Sequence, residues 1–129
     1  MHVLLVDDHA LFRSGLRCLL SELDAGLSFA EAGRLADALS HRGPPVDLIL
    51  LDPALPDRGG IDAIARLRAA LPTAALVVFS EDDEPTRVRD VLDAGASRFV
   101  RKASSSAELV AALRDVLGLV PVRSRAAAH

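Results

Sequence analysis

One stretch constrains this chain more than any other: Val46-Asp47-Leu48-Ile49-Leu50-Leu51-Asp52-Pro53-Ala54-Leu55-Pro56, an apolar run that stops at an aspartate followed closely by two prolines. Such a run is what a strand covered on both faces looks like, and strands of that kind belong to parallel sheets. Pro53 keeps the residue before it out of the helical region, so Asp52 ends the strand and does not open a helix. A carboxylate is thereby delivered to the rim of a sheet.

The other apolar runs end in the same way. His2–Val6 stops at Asp7-Asp8, Ala75–Phe79 at Ser80, and the short run Ser97–Arg101 at Lys102; Leu27–Ala32 is a weaker strand bounded by glycines. Helical spacing fills the gaps between them. Phe12, Leu16, Leu19 and Leu23 form one face of a first helix, with Arg13 and Arg17 opposite. Residues 34–42 follow with Leu35, Ala38 and Leu39 inward, stopped by Gly43-Pro44-Pro45. A third helix over 61–71 points Ile61, Ile64, Ala65 and Leu67 inward and stops at Pro72. Pro85 suits the first turn of a fourth helix and Gly95 its end. Ser104 to Ser106 can cap a fifth, whose apolar face is Leu109, Ala112, Leu113 and Val116.

Strict alternation of strand and helix predicts an α/β fold, a doubly wound parallel sheet with helices on both faces. Ligands of such sheets sit outside the carboxyl ends of the strands. Asp7, Asp8, Asp52, Ser80 and Lys102 all fall there, so one cleft can hold them all.

Composition narrows the classes. A chain of 129 residues is one domain by length, and with half its residues apolar but four Phe and no Trp or Tyr its core must be aliphatic. No apolar run approaches the roughly 18 residues that span a bilayer, and no signal peptide opens the chain, so a cytoplasmic protein with no membrane partner is expected. The net charge is −3, and Arg123 and Arg125 lie in the tail, which leaves the body more acidic still. Such a body is a poor surface for direct nucleic-acid binding. Cys18, the only cysteine, is expected as a small buried residue, and His2 and His41 as surface or strand-edge residues.

Three crowded carboxylates cannot all ionise cheaply without a cation, and an all-oxygen donor set suits Mg²⁺. His9 reads as a helix-start residue whose ring adds nothing to a magnesium site. Lys102 stands out because it is the only lysine beside fourteen arginines. An ammonium on a flexible stem is a compact charge that can follow a phosphoryl group where a planar guanidinium would not fit. Ser80 adds a hydroxyl.

With these pieces in order, the chain resembles a response-regulator receiver domain from Val3 to about Leu117. The resemblance rests on the paired acids after strand one, Asp52 with Pro56 four residues on, the hydroxyl after strand four and the lysine after strand five. Asp7-Asp8-His9-Ala10-Leu11-Phe12-Arg13-Ser14-Gly15-Leu16 is similar to the start of the NarL/FixJ-type subgroup of two-component signalling proteins. It implies a flavodoxin-like (βα)5 fold of strand order 2-1-3-4-5, with the receiver over 1–118 and a linker or appended tail over 119–129. It also implies that Asp52 accepts a phosphoryl group from a sensor histidine kinase, as a switch and not as an enzyme. Asp8, Asp52 and the Ala54 carbonyl would bind Mg²⁺, Asp7 acting mainly through water, while Lys102 and Ser80 hold phosphoryl oxygens. Ser80 and Phe99 would form the switch, Ser80 moving inward and the Phe99 ring filling the vacated space. The output domain would be a helix-turn-helix DNA binder, and the small residues Ala107, Ala111 and Ala112 would permit a homodimer.

Three positions depart from the family's pattern: Glu81 beside the phosphoryl site, Pro53, which has no N–H to donate, and Ala103 after Lys102, where the family frequently has proline. Glu81 and Pro53 keep open a phosphate-independent receiver that acts by binding protein. A phosphoaspartate hydrolase is a further alternative, though Ala54 stands where that class places a second acid.

Overall fold

Each strand of the sheet divides its side chains between two cores. The computed structural model describes residues 1–102 and 105–120. It contains β1 (His2–Val6), α1 (Ala10–Leu23), β2 (Ser28–Ala32), α2 (Leu35–Leu39) and β3 (Leu48–Leu51), followed by α3 (Gly60–Ala70), β4 (Ala75–Ser80), α4 (Pro85–Asp93), β5 (Arg98–Arg101) and α5 (Ser106–Leu117). All neighbouring strands run parallel in the order β2-β1-β3-β4-β5, as the resemblance implied.

Successive side chains of a strand point to opposite faces. On one face Val3, Leu5, Leu48, Leu50, Val77, Phe79 and Val100 pack with Leu16 and Leu20 of α1 and with Leu113, Val116 and Leu117 of α5. On the other, Leu4, Val6, Ile49, Leu51, Leu76 and Val78 meet Leu35, Ala38, Ala63, Ile64, Leu67 and Val91 from α2, α3 and α4. The unbroken apolar run of β3 is thereby explained: both faces are covered. Val120 is also buried against the α1/α5 core, beyond the last residue of α5.

Helical phase corrects several inward assignments. In α3 the buried stripe is Ala63, Ile64 and Leu67, while Ile61 and Ala65 are exposed, because each residue turns the helix by about 100° and these two fall off the stripe. Leu39 is exposed because α2 stops there, its Ser40 cap bonding back to the Ala36 carbonyl at 2.9 Å. Cys18 is exposed, since the buried line of α1 runs through Leu16 and Leu20 on the opposite side. Ser105 is the residue that caps α5, accepting from the Glu108 N–H at 3.2 Å; Ala103 and Ser104 lie outside the described residues.

The N-terminal rim of the sheet is closed by polar groups. Arg68 of α3 donates to the carbonyls of Gly95 (2.9 Å), Ala74 (2.6 Å), Pro72 (3.2 Å) and Leu71 (3.3 Å). Gly95, at φ +124°, adopts a conformation that favours glycine, and a Cβ there would meet the Arg68 side chain at 2.8 Å. His2 is not at the surface: it is 7% exposed, its Nδ1 lies 2.7 Å from the Ser28 hydroxyl, and its ring stacks on His41 with centroids 5.5 Å apart. Burial, together with the neighbouring His41, holds the His2 imidazole below its ordinary pKa.

Candidate functional site

The ladder continues one residue past three strands and fixes the backbone of the residues that follow them. Asp7 N–H donates to the Ala32 carbonyl (3.0 Å), Asp52 N–H to Val6 (2.9 Å) and Lys102 N–H to Ser80 (2.9 Å). Their side chains converge. The Lys102 ammonium lies 2.6 Å from Asp52 Oδ2 and 2.9 Å from Asp7 Oδ2, a bridge between β1, β3 and β5. Both carboxylates are buried, Asp7 at 3% and Asp52 at 7% exposure.

The remaining oxygens are also held. Asp52 Oδ1 accepts from the Ala54 N–H at 2.9 Å, and Asp7 Oδ1 from the His9 N–H at 2.8 Å. Desolvation alone would lower the Lys102 pKa, but hydrogen bonds and charge from Asp52 and Asp7 outweigh it and raise it. Stability from this pairing is complete at neutral pH and is lost only as pH climbs through the raised value. The Phe12 ring backs the ammonium, 4.4 Å from its centroid, and itself sits edge-on to Phe79.

The loop after β3 is shaped around Asp52. The Pro53 carbonyl accepts from Leu55 N–H (3.0 Å) and Gly60 N–H (2.8 Å), and a Cβ on Gly59 would come within 2.4 Å of that same oxygen. Asp57 extends from this loop to the backbone of Ala36 and Leu35 at 3.0 and 2.9 Å, hydrogen bonds that lower its pKa.

Of the residues expected at the site, Asp7, Asp52 and Lys102 are in direct contact, and Ala54 adjoins through its N–H. Asp8 is turned outward, its side chain 38% exposed and 3.2 Å from His9 Nδ1. Ser80 Oγ accepts from the Asp82 N–H at 3.2 Å, a turn contact. Phe99 is half-buried against the α3/α4 core. Glu81 is exposed on the wall of a cavity of about 460 Å³ that it shares with His9, Phe12 and Lys102. The site also includes residues that spacing did not mark. His9 Nδ1 is 3.1 Å from Asp7 Oδ1, and among the described residues Asp7, His9 and Asp52 are the one trio able to offer a cation donor atoms within 4.8 Å of one another. Arg13, assigned to a free helix face, is largely buried; it donates to the Asp7 carbonyl and, at 3.1 Å, to Glu31.

A parallel sheet of order 2-1-3-4-5 whose rim joins the acids after β1 and β3 to a lysine after β5 is built as receiver domains are. The comparisons with known proteins agree. The chain belongs to the response-regulator receiver domain family, whose model matches residues 3–114. It is 41% identical over 118 residues to the transcriptional activator protein ExaE of Pseudomonas putida, covering 91% of this chain and 55% of that one. It is 38% identical over 114 residues to the nitrate/nitrite response regulator protein NarP of Escherichia coli, covering 87% and 53%. The chain thus spans about half the length of these curated relatives, of which NarP is of the NarL/FixJ type. Among solved structures it is similar to a LuxR-family two-component response regulator from Aurantimonas (TM-score 0.77, 33% identity, covering 91% of this chain and 84% of that one). The receiver domain of the putative response regulator NarL from Mycobacterium tuberculosis is also similar (TM-score 0.72, 34% identity, 88% and 93%). This is a receiver domain of a two-component response regulator.

Proposed function

We propose that Asp52 is the phosphoacceptor of this receiver and that a sensor histidine kinase is its donor. The observation that carries the reading is the Lys102 ammonium, 2.6 Å from Asp52 Oδ2 at the rim of the sheet. A carboxylate oxygen of Asp52 attacks the phosphorus of a phosphohistidine; the P–O bond forms, the P–N bond breaks, and its electron pair returns to the imidazole. Lys102 then turns from the carboxylate toward the oxygens of the bound phosphoryl group. The Ala54 N–H, already aimed at Asp52 Oδ1, orients the nucleophile.

Mg²⁺ suits this mouth because two buried carboxylates, Asp7 and Asp52, share a single ammonium, and the negative charge left over is what a divalent cation would offset. Asp8, Asp52 and the Ala54 carbonyl would hold the ion, with Asp7 acting through water. Bound there, it would offset the charge shared by the nucleophile and the phosphoryl oxygens. The switch would be Ser80 leaving its turn contact with Asp82 for the phosphoryl group, with the Phe99 ring moving into the space it vacates.

We assign the receiver to 1–118, with Val120 packed behind it, and read the remainder as a linker. Residues 121–129 lie outside the described residues. The name of the relative ExaE supports a transcription regulator, and we read the output domain as a DNA binder and the location as the cytoplasm. No helix among the described residues is long and apolar enough to cross a membrane.

Acetyl phosphate with Mg²⁺ should add the mass of one phosphoryl group to the wild-type chain and none to Asp52→Asn. An unlabelled wild type would overturn the reading and favour the phosphate-independent binding module.

A further inference from the structure

We infer that Arg13 is a positioning residue for the acids of this mouth: anchored on Glu31, it holds the carbonyl of the peptide that joins Asp7 to Asp8. The inference deepens the phosphoacceptor reading and rests on it for what the two acids do.

Every polar atom of Asp7 has a partner. Its N–H donates to the Ala32 carbonyl at 3.0 Å, its Oδ1 accepts from the His9 N–H at 2.8 Å, and its Oδ2 accepts from the Lys102 ammonium at 2.9 Å. The remaining atom, the carbonyl oxygen, accepts from Arg13 Nη1. A trans peptide is planar, so a hold on the Asp7 carbonyl is also a hold on the Asp8 amide. That plane governs how the neighbouring acids divide: Asp7 is 3% exposed in the mouth, while the Asp8 side chain is 38% exposed and turned out. For Asp8 to share an ion with Asp52, it has to turn inward while Asp7 stays where it is.

Arg13 can keep that backbone in place because it is itself held. Its side chain is 17% exposed, its Nε donates to Glu31 Oε1 of β2 at 3.1 Å, and its Nη1 runs past Gly33, 3.6 Å from where a Cβ there would stand. A planar guanidinium aims its donors in fixed directions, so one side chain spans the acid on β2 and the carbonyl after β1.

Arg17, one turn further along α1, supplies the contrast. It pairs with the other Glu31 oxygen at 3.2 Å and lies over the Phe29 ring, but its side chain is 52% exposed and its partners do not include Asp7. Removing either arginine takes the same charge from the same glutamate; only Arg13 touches the Asp7–Asp8 peptide. By charge alone, taking a cation away from a set of carboxylates tightens their hold on a divalent ion. Loss of position loosens it, so the sign of the effect separates the two causes.

The test measures amide hydrogen exchange without metal, calorimetric Mg²⁺ binding, and acetyl phosphate labelling against Mg²⁺ concentration. It uses the full chain as wild type, Arg13→Met, Arg17→Met and Glu31→Gln. In Arg13→Met the Asp7 and His9 amides should exchange at least about tenfold faster. The Mg²⁺ dissociation constant should rise about tenfold, as when a group that orients a metal ligand is removed. Labelling should need more Mg²⁺ yet come within about twofold of the wild-type rate at saturation. Arg17→Met should leave all three readings within about twofold of wild type. Glu31→Gln loosens the anchor but keeps Arg13; it should shift the amides and Mg²⁺ binding in the same direction by a smaller factor, and it carries the test if Arg13→Met does not fold. Asp7 and His9 amides that exchange as in wild type, or Mg²⁺ binding that is unchanged or tighter, would overturn the inference and leave the phosphoacceptor site standing. So would an Arg17→Met chain that behaves like Arg13→Met, which would make the Glu31 cluster a plain tie between α1 and β2. A wild type that takes up neither Mg²⁺ nor a phosphoryl group would remove the proposed function, and the inference with it, whatever the amides show.

Discussion

At the N-terminal rim of the sheet, Arg68 distributes its donors among four backbone carbonyls. At the C-terminal rim, Lys102 places one ammonium between two buried carboxylates. Both residues are cations that close an end of the same sheet. The carbonyls of the first rim are fixed dipoles with no other state to adopt. The carboxylates of the second are the nucleophile and metal donors of the proposed function, and the one charge that balances them can move. The first rim is therefore a clamp and the second a site.

The sharpest way to break this contrast is Lys102→Met. Removing one partner of a buried ionic cluster leaves Asp7 and Asp52 uncompensated, and such losses cost about 3 kcal/mol. Chemical denaturation should show that loss, and acetyl phosphate labelling should also fall. A Lys102→Met chain as stable as wild type would mean that water already balances the acids.

Arg68→Met probes the other rim. Leaving several carbonyls without their donor should cost about 2 kcal/mol in the same experiment, with the labelling rate unchanged. A drop in labelling would show that the clamp is coupled to the site. Gly95→Ala strains the same rim through φ +124° and the 2.8 Å approach to Arg68, and should cost about 1–2 kcal/mol.

A smaller effect is expected from pH. His2 is held neutral in the fold, while an unfolded histidine takes its proton near 6.5. Stability is therefore complete above that value and declines as pH falls through the lowered pKa of the folded protein. Urea midpoints between about pH 7 and 5 should fall less in His2→Asn than in wild type. A parallel decline would assign the acid sensitivity to other groups.

Glu81→Ala should have the smallest effect. Its carboxylate is exposed, so solvent and salt screen it from Asp52, and the labelling rate should change by less than about twofold. A larger change would show that Glu81 turns inward when phosphate arrives.

The strands, their ends and the polar residues following them could be read from the chain because the causes are local. A doubly covered strand needs an unbroken apolar run, and Pro53 sets the conformation of Asp52 whatever surrounds it. That is why Asp7, Asp52 and Lys102 were found at one rim from residues up to 95 positions apart in sequence. Exposure of Ile61, Leu39 and Cys18 was harder to read, since a helix that packs on one side leaves marginal apolar residues whose phase only the docked helix fixes.

What tertiary structure alone decided is how each charged group is satisfied. Sequence places Asp7 and Asp8 side by side, but only the ladder bond from Asp7 to Ala32 keeps one in the mouth while its neighbour turns to solvent. The same holds for His9 and Phe12 around the Lys102 ammonium, and for His2 stacked on His41. These partners come from different strands and helices, and their meeting depends on sheet register and helix docking, which no single stretch of the chain specifies.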